Sequence, residues 1–178
     1  MKKLYGEQRR SILLETLKTA GGPITGAELA AKAGVSRQVI VSDMTLLKAK
    51  GEPILATSQG YLYFNEQKES SQVSRRIACR HSPDETEREL LLLVGEGVSV
   101  KDVSVEHPVY GELTAGVHVS SAREVEAFME RIRTTGATYL LELTDGTHLH
   151  TITADSEAVL DTAEEVLRVN GLLLKGDE

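Results

Sequence analysis

The chain has 178 residues and a formal net charge of −7, with 40% hydrophobic residues, 4% aromatic residues and no Trp. That length suits one large domain or two small ones, and the composition excludes a disordered or fibrous chain. No apolar run approaches a membrane span, and the charged opening MKKLYGEQRR lacks the apolar stretch of a secretory signal, so a cytoplasmic protein with no membrane partner is expected.

In chain order, residues 7–19 place Ile12, Leu13 and Leu17 at helical spacing and end at Gly21-Gly22-Pro23. Thr25 with Glu28 forms a capping-box pattern opening a short helix from Gly26 to Ala33. After Gly34, Ser36 caps a third helix to about Lys50, with Val39, Ile40, Met44, Leu46 and Leu47 as its apolar face. Residues 53–57, the turn Ser58-Gln59-Gly60 and residues 61–64 predict a β-hairpin, the wing of a helix-turn-helix.

The polar stretch 65–74, NEQKESSQVS, reads as a linker. Beyond it the pattern predicts a strand at 75–80, a helix at 83–96, strands near 98–106 and 112–119, a helix at 121–134, a strand at 147–153 and a helix at 156–169. The expected fold class is α+β: an N-terminal winged helix-turn-helix in residues 1–64, then an α+β domain in residues 75–178 whose mostly antiparallel sheet is covered by helices. Charge divides the same way. Residues 1–64 carry 9 basic and 5 acidic side chains, a net +4, leaving −11 for the rest. A basic module joined to an acidic one suits phosphate contact at one end and solubility or cation binding at the other.

The turn Ala33-Gly34-Val35-Ser36 is the tight connection a helix-turn-helix needs. Ser36, Arg37, Gln38 and Ser42 are then the candidate DNA-binding residues, Arg toward guanine and Gln toward adenine. Asp43 has two open readings, accepting from cytosine or orienting an arginine. In the second half, His148 and His150 stand two residues apart on a predicted strand and so share a face, which is metal-ligand spacing. His81 follows the first strand of that half, and Glu85 and Glu89 lie four apart on the next helix. Such a set suits zinc, nickel or another first-row divalent ion. The lone Cys79 excludes an internal disulfide and reads as a small buried hydrophobe. His118, with no motif around it, reads as structural.

The helix opening Gly34-Val35-Ser36-Arg37-Gln38, the Leu46-Leu47 close and the Ile54…Gly60-Tyr61 hairpin resemble the biotin-repressor type of winged helix-turn-helix. The runs Cys79-Arg80-His81, His107-Pro108-Val109-Tyr110-Gly111-Glu112-Leu113 and Leu143-Thr144-Asp145-Gly146-Thr147-His148-Leu149-His150-Thr151 resemble the three-histidine, or 3H, domain. Together they are similar to the niacin-responsive repressor family of NAD biosynthesis, called NiaR. The resemblance implies a repressor of genes for NAD synthesis or niacin uptake, with nicotinic acid as co-repressor and operator DNA as partner. It maps one divalent metal onto His81, Glu89, His148 and His150, choosing Glu89 over Glu85. His107, Tyr110 and Arg80 are its candidate residues for holding the carboxylate and flat ring of the effector. A homodimer is expected, because a palindromic operator mirrors a two-fold protein.

An enzyme is not expected: no nucleophile elbow, phosphate loop or catalytic dyad accompanies the histidines, although a metal-dependent hydrolase is the reading such a site would otherwise invite. A second alternative is a metal-sensing regulator, in which the ion itself is the signal.

Overall fold

The computed structural model describes residues 6–64 and 72–175. The chain forms two compact units, Met1–Glu69 and Ser70–Glu178. Most of the expected linker, residues 65–71, lies outside the described residues.

In the first unit, helices α1 (Gly6–Thr19), α2 (Gly26–Ala33) and α3 (Arg37–Ala49) precede a hairpin of β1 (Ile54–Thr57) and β2 (Gly60–Tyr63). Thr25 and Glu28 close a reciprocal capping box on α2: the Glu28 N–H donates to Thr25 Oγ1 at 3.2 Å and the Thr25 N–H to Glu28 Oε2 at 2.9 Å. Gly34 ends that helix in the left-handed region at φ 65°, a conformation that makes the tight turn into α3 inexpensive for glycine alone. Leu13, Leu17, Leu29, Ile40, Met44, Leu47 and Ile54 form the core of this unit. Leu46 stands outside that core, 48% exposed. Two residues past Met44 turn the helix by about 200°, away from the buried stripe, and Asp43 occupies the buried position instead. Arg9 Nε donates to Asp43 Oδ2 at 2.6 Å and Arg10 contacts Oδ1 at 3.4 Å, so Asp43 orients arginines of α1 and ties that helix to α3. The wing docks through Ile24, which exchanges two backbone hydrogen bonds with Tyr61 at 2.9 and 2.8 Å.

The second unit runs β3 (Val73–Arg80), α4 (Thr86–Gly95), β4 (Ser99–His107), β5 (Gly111–Val119), α5 (Ala122–Thr135), β6 (Thr147–Ala154) and α6 (Glu157–Val169). The first strand opens at Val73, two residues before the expected start, because Val73 pairs with Ala154 and packs on the core. The four strands form one antiparallel sheet in the order β3-β6-β4-β5, which puts β6 and β4 at its centre. Helix α4 packs on β4, α5 on β5, and α6 on β6 and β3. Short 3-10 turns stand at Pro83–Glu85, before α4, and at Leu140–Thr144, before β6. The helix expected from Pro83 thus begins as a tighter turn. This unit is an α+β fold with a helix-covered antiparallel sheet, as the pattern predicts. Among the described residues, no helix is long and apolar enough to cross a membrane.

Candidate metal centre and nucleic-acid face

Strand alternation builds the centre. Buried and half-buried positions alternate along β6, so His148 and His150 both enter the core side of the sheet. Register sets Cys79 of β3 opposite His148 and Ile77 opposite His150. Helix α4 lies against this region with Thr86, Glu89, Leu90 and Leu93 buried, which carries a carboxylate into a core position. His81 follows directly on β3.

The four groups meet at one atom. Glu89 Oε2 lies 2.8 Å from His81 Nε2, 3.4 Å from His148 Nε2 and 3.2 Å from His150 Nε2, and all four side chains are at most 4% exposed. The far side of each ring is occupied by a backbone carbonyl. His81 Nδ1 donates to Ser82 O at 2.9 Å, His148 Nδ1 to Gly146 O at 2.8 Å and His150 Nδ1 to Asp102 O at 2.6 Å. Because a carbonyl only accepts, each Nδ1 carries a proton, and each ring turns its Nε2 to the centre, as a donor to Glu89 when protonated and as a lone-pair ligand once that proton leaves. Metal-ligating histidines are commonly held in just this way by a second hydrogen bond.

Electrostatics sharpen the point. Burial pushes the Glu89 carboxyl up, but the charge of His150, hydrogen bonds from His148 and His150 and the close approach of His81 outweigh it and hold the group well below the usual carboxylate range. Burial pushes His81 and His150 down, yet the Glu89 carboxylate raises both on balance. The cluster therefore favours positive charge at its centre, whether carried by protons or by a cation. Within the cluster, two buried atoms have no hydrogen-bond partner among the described residues: Glu89 Oε1, and His81 Nε2, which is near Oε2 but out of alignment. Three lone-pair nitrogens and a carboxylate with an uncommitted oxygen fit a divalent transition ion.

The competing carboxylates point elsewhere. Glu85, in the 3-10 turn, pairs with Arg88 at 2.9 Å, and Glu87 faces Arg133 at 3.8 Å. Cys79 is fully buried and carries a feature that its solitary place in the sequence concealed: its sulfur, a Glu89 oxygen and a His148 nitrogen lie within 4.8 Å of one another. Burial and the Glu89 charge push this thiol far up, so it borders the centre as a neutral group.

Two depressions flank the cluster. On the His150 side is an apolar cavity of about 210 Å³, lined by Thr86, Val103, Phe128, Ile132, Tyr139 and Leu141 among others. On the His81 side an open cleft contains Arg80 together with Glu142 and Asp145.

In the first unit Ser36 caps α3, its Oγ accepting from the Val39 N–H at 3.4 Å. Arg37 and Gln38 follow in the exposed first turn, and Ser42, also exposed, donates its hydroxyl to the Gln38 carbonyl at 3.1 Å. These four residues share the N-terminal part of the helix that follows the tight turn, the place from which a helix-turn-helix addresses a major groove.

A family model for the 3H domain matches residues 74–176, and a model for an HTH domain matches residues 9–62. The chain is 54% identical to "Transcription repressor NadR" of Bacillus subtilis (strain 168), with 97% of each chain covered. It is 39% identical to "Probable transcription repressor NiaR" of Thermotoga maritima, again over 97% of both chains. The chain belongs to the NiaR-type repressor family.

This NiaR-type chain does not bring its other expected effector residues to the imidazole cluster. His107 ends β4, four residues past Val103, the partner of His150, which is roughly 13 Å along the strand. Its Nδ1 accepts from the N–H groups of Val109 at 3.2 Å and Tyr110 at 3.3 Å, and its ring stacks on Tyr110 at 4.9 Å between centroids. Tyr110 is 74% exposed at that hairpin tip. Neither residue lines the apolar cavity, because the β4–β5 hairpin carries both away from it. Arg80 is adjacent to His81 but lies in the open, acidic cleft. His118 sits on β5 at φ 50°, next to the irregular pairing of β4 with β5. Thr86 at the start of α4 lines the apolar cavity, a placement that spacing did not reveal because it resembles an ordinary helix-end threonine.

Proposed function

We propose that this chain represses transcription of genes for NAD biosynthesis or niacin uptake, with nicotinic acid as co-repressor bound beside a single divalent metal held by His81, Glu89, His148 and His150. The observation that carries the reading is the convergence of three carbonyl-anchored imidazoles on one oxygen of a buried carboxylate, at the wall of an apolar cavity. A nickel or zinc ion held by these four residues would supply Lewis acidity toward an anionic ligand. The chain's own residues then divide the work. His81, His148 and His150 hold fixed tautomers, Glu89 lowers the net charge, and the cavity beside His150 excludes water from a flat ring.

Helix α3 is proposed to read operator DNA through Ser36, Arg37, Gln38 and Ser42, in a cytoplasmic homodimer matched to a palindromic site. His107 and Tyr110 stand too far along β4 and its hairpin for a role at the same cavity, and Arg80 shares its cleft with Glu142 and Asp145, a poor setting for a carboxylate.

The test is operator binding followed by fluorescence anisotropy, with metal and nicotinate titrated separately. Nicotinate should tighten binding at least about tenfold in metal-loaded protein, and chelation should abolish the effect. R37A should weaken binding with and without nicotinate. Tightening by the ion alone, with nicotinate inert, would replace this reading with a metal sensor.

A further inference from the structure

Arg37 stands exposed at the first position of α3, and among the described residues its side chain has no hydrogen bond or ion pair. Arg9 and Arg10, by contrast, are committed to Asp43. An unpaired arginine on a helix surface samples many rotamers, and fixing it when a partner binds costs entropy. The surroundings of Arg37 restrict that freedom by packing instead of by charge.

Gly26 opens α2, and a Cβ there would lie 3.6 Å from Arg37 Nε, 3.7 Å from Arg37 Cγ and 3.6 Å from Tyr61 Cε2. The arginine side chain and the edge of the tyrosine ring therefore both reach the space over the bare backbone of Gly26. Three elements meet there: the start of α2, the start of α3 and strand β2 of the wing. Tyr61 is itself fixed. Its backbone exchanges hydrogen bonds with Ile24 at 2.9 and 2.8 Å, it pairs with Ala56 across the hairpin, and its half-buried side chain packs on the core of this unit. The ring is a firm wall and Arg37 the movable partner, in a pairing that suits both, since an arginine stem covers apolar surface and its planar head lies well against aromatic rings.

We propose that Tyr61 is a positioning residue for Arg37: its ring, seated beside Gly26, holds the arginine side chain in place on α3 before DNA arrives. The assignment rests on the proposed reading of Arg37 as a DNA contact, and it adds a role for the wing that requires no contact between Tyr61 and DNA. A pre-ordered arginine has less freedom to lose on binding, a difference of roughly two- to tenfold in affinity for one long side chain.

The experiment is a double-mutant cycle on the full chain. Fluorescence anisotropy follows binding to a duplex that the wild-type protein selects from a random library, with zinc and nicotinate held constant, well below the melting temperature of every variant. Y61A should weaken binding by roughly two- to tenfold, and Y61F, which keeps the ring, should match wild type. In an R37A background Y61A should add nothing, because its effect passes through the arginine. Equal losses from Y61A with and without Arg37 overturn the proposal and give the ring a direct or merely structural part. Wild-type affinity in Y61A, or a loss in Y61F as large as that in Y61A, overturns it too. Wild-type affinity in R37A removes the Arg37 reading together with it. Should Y61A fail to fold, G26V decides, since it leaves the wing unchanged and fills the space that the two side chains share. It should weaken binding only where Arg37 is present, and an equal loss in the R37A background overturns the proposal.

Discussion

At the residue scale the decisive group is Glu89, a fully buried carboxylate whose ionised form is tolerated only because three imidazole nitrogens surround it. The signs of the shifts then dictate how stability follows pH in metal-free protein. Glu89 titrates well below its unfolded value, so its contribution is present at neutral pH and disappears as pH falls through the lowered folded value. His81 and His150 titrate above their unfolded value of about 6.5, so their contribution is complete below that pH and disappears as pH rises through the raised folded values. Metal-stripped protein should therefore lose melting temperature on the alkaline side of about pH 6.5, and the increment added by zinc or nickel should grow over the same interval as protons leave the rings. Scanning calorimetry from pH 5 to 8 measures both, and a stripped protein whose melting temperature stays level across that range contradicts the account. Sequence gave uneven access to these residues. The His148/His150 pair follows from strand periodicity alone. Glu85 and Glu89 are equivalent by spacing, and only the 3-10 turn at Pro83–Glu85 separates them by directing Glu85 to Arg88. Cys79 and Thr86 leave no spacing signal, since one stands alone and the other looks like a helix-end residue.

At the scale of elements, the centre depends on how strands begin and bend. Gly146 precedes β6 at φ 88°, and a Cβ there would lie 2.2 Å from the His81 carbonyl oxygen, a contact with backbone that no rotamer relieves. Its own carbonyl accepts from both the His81 N–H, at 3.3 Å, and His148 Nδ1. The turn thus fixes the spacing of two candidate ligands at once. G146A should weaken zinc binding by about 10–100-fold, the usual range for losing an outer-shell support, while leaving helix α3 and its capping intact. A competitive titration against a chromophoric chelator measures this, and wild-type affinity in G146A would contradict it. A bulge in β4 does similar work for His150. The register shift between Val100 and Asp102 presents the Asp102 carbonyl to His150 Nδ1 and the Asp102 carboxylate to the Thr151 N–H at 3.0 Å. The sequence pattern predicts closely the six helices and six strands among the described residues, because most of them bury one stripe or one face. It does not reveal the bulge or the 3-10 turn at Leu140–Thr144, which arise from tertiary hydrogen bonding rather than from an apolar repeat.

At the scale of the whole molecule, the proposed roles divide as charge does. The first 64 residues carry +4 and the remainder −11, consistent with a phosphate-facing module and a cation-holding one on a single chain. The sequence division was legible because a basic helix-turn-helix pattern and a histidine-bearing pattern flank a polar stretch. What pattern alone could not supply was the meeting of residues 81, 89, 148 and 150, which requires β3 and β6 to be neighbours although nearly seventy residues separate them. That meeting is the central claim. X-ray absorption at the metal edge of the nickel- or zinc-loaded chain tests it most directly. The account predicts imidazole scattering from three rings and one or more oxygen ligands, with zinc–nitrogen distances of about 2.0–2.1 Å, whereas a first shell of oxygen alone, without imidazole scattering, would contradict it.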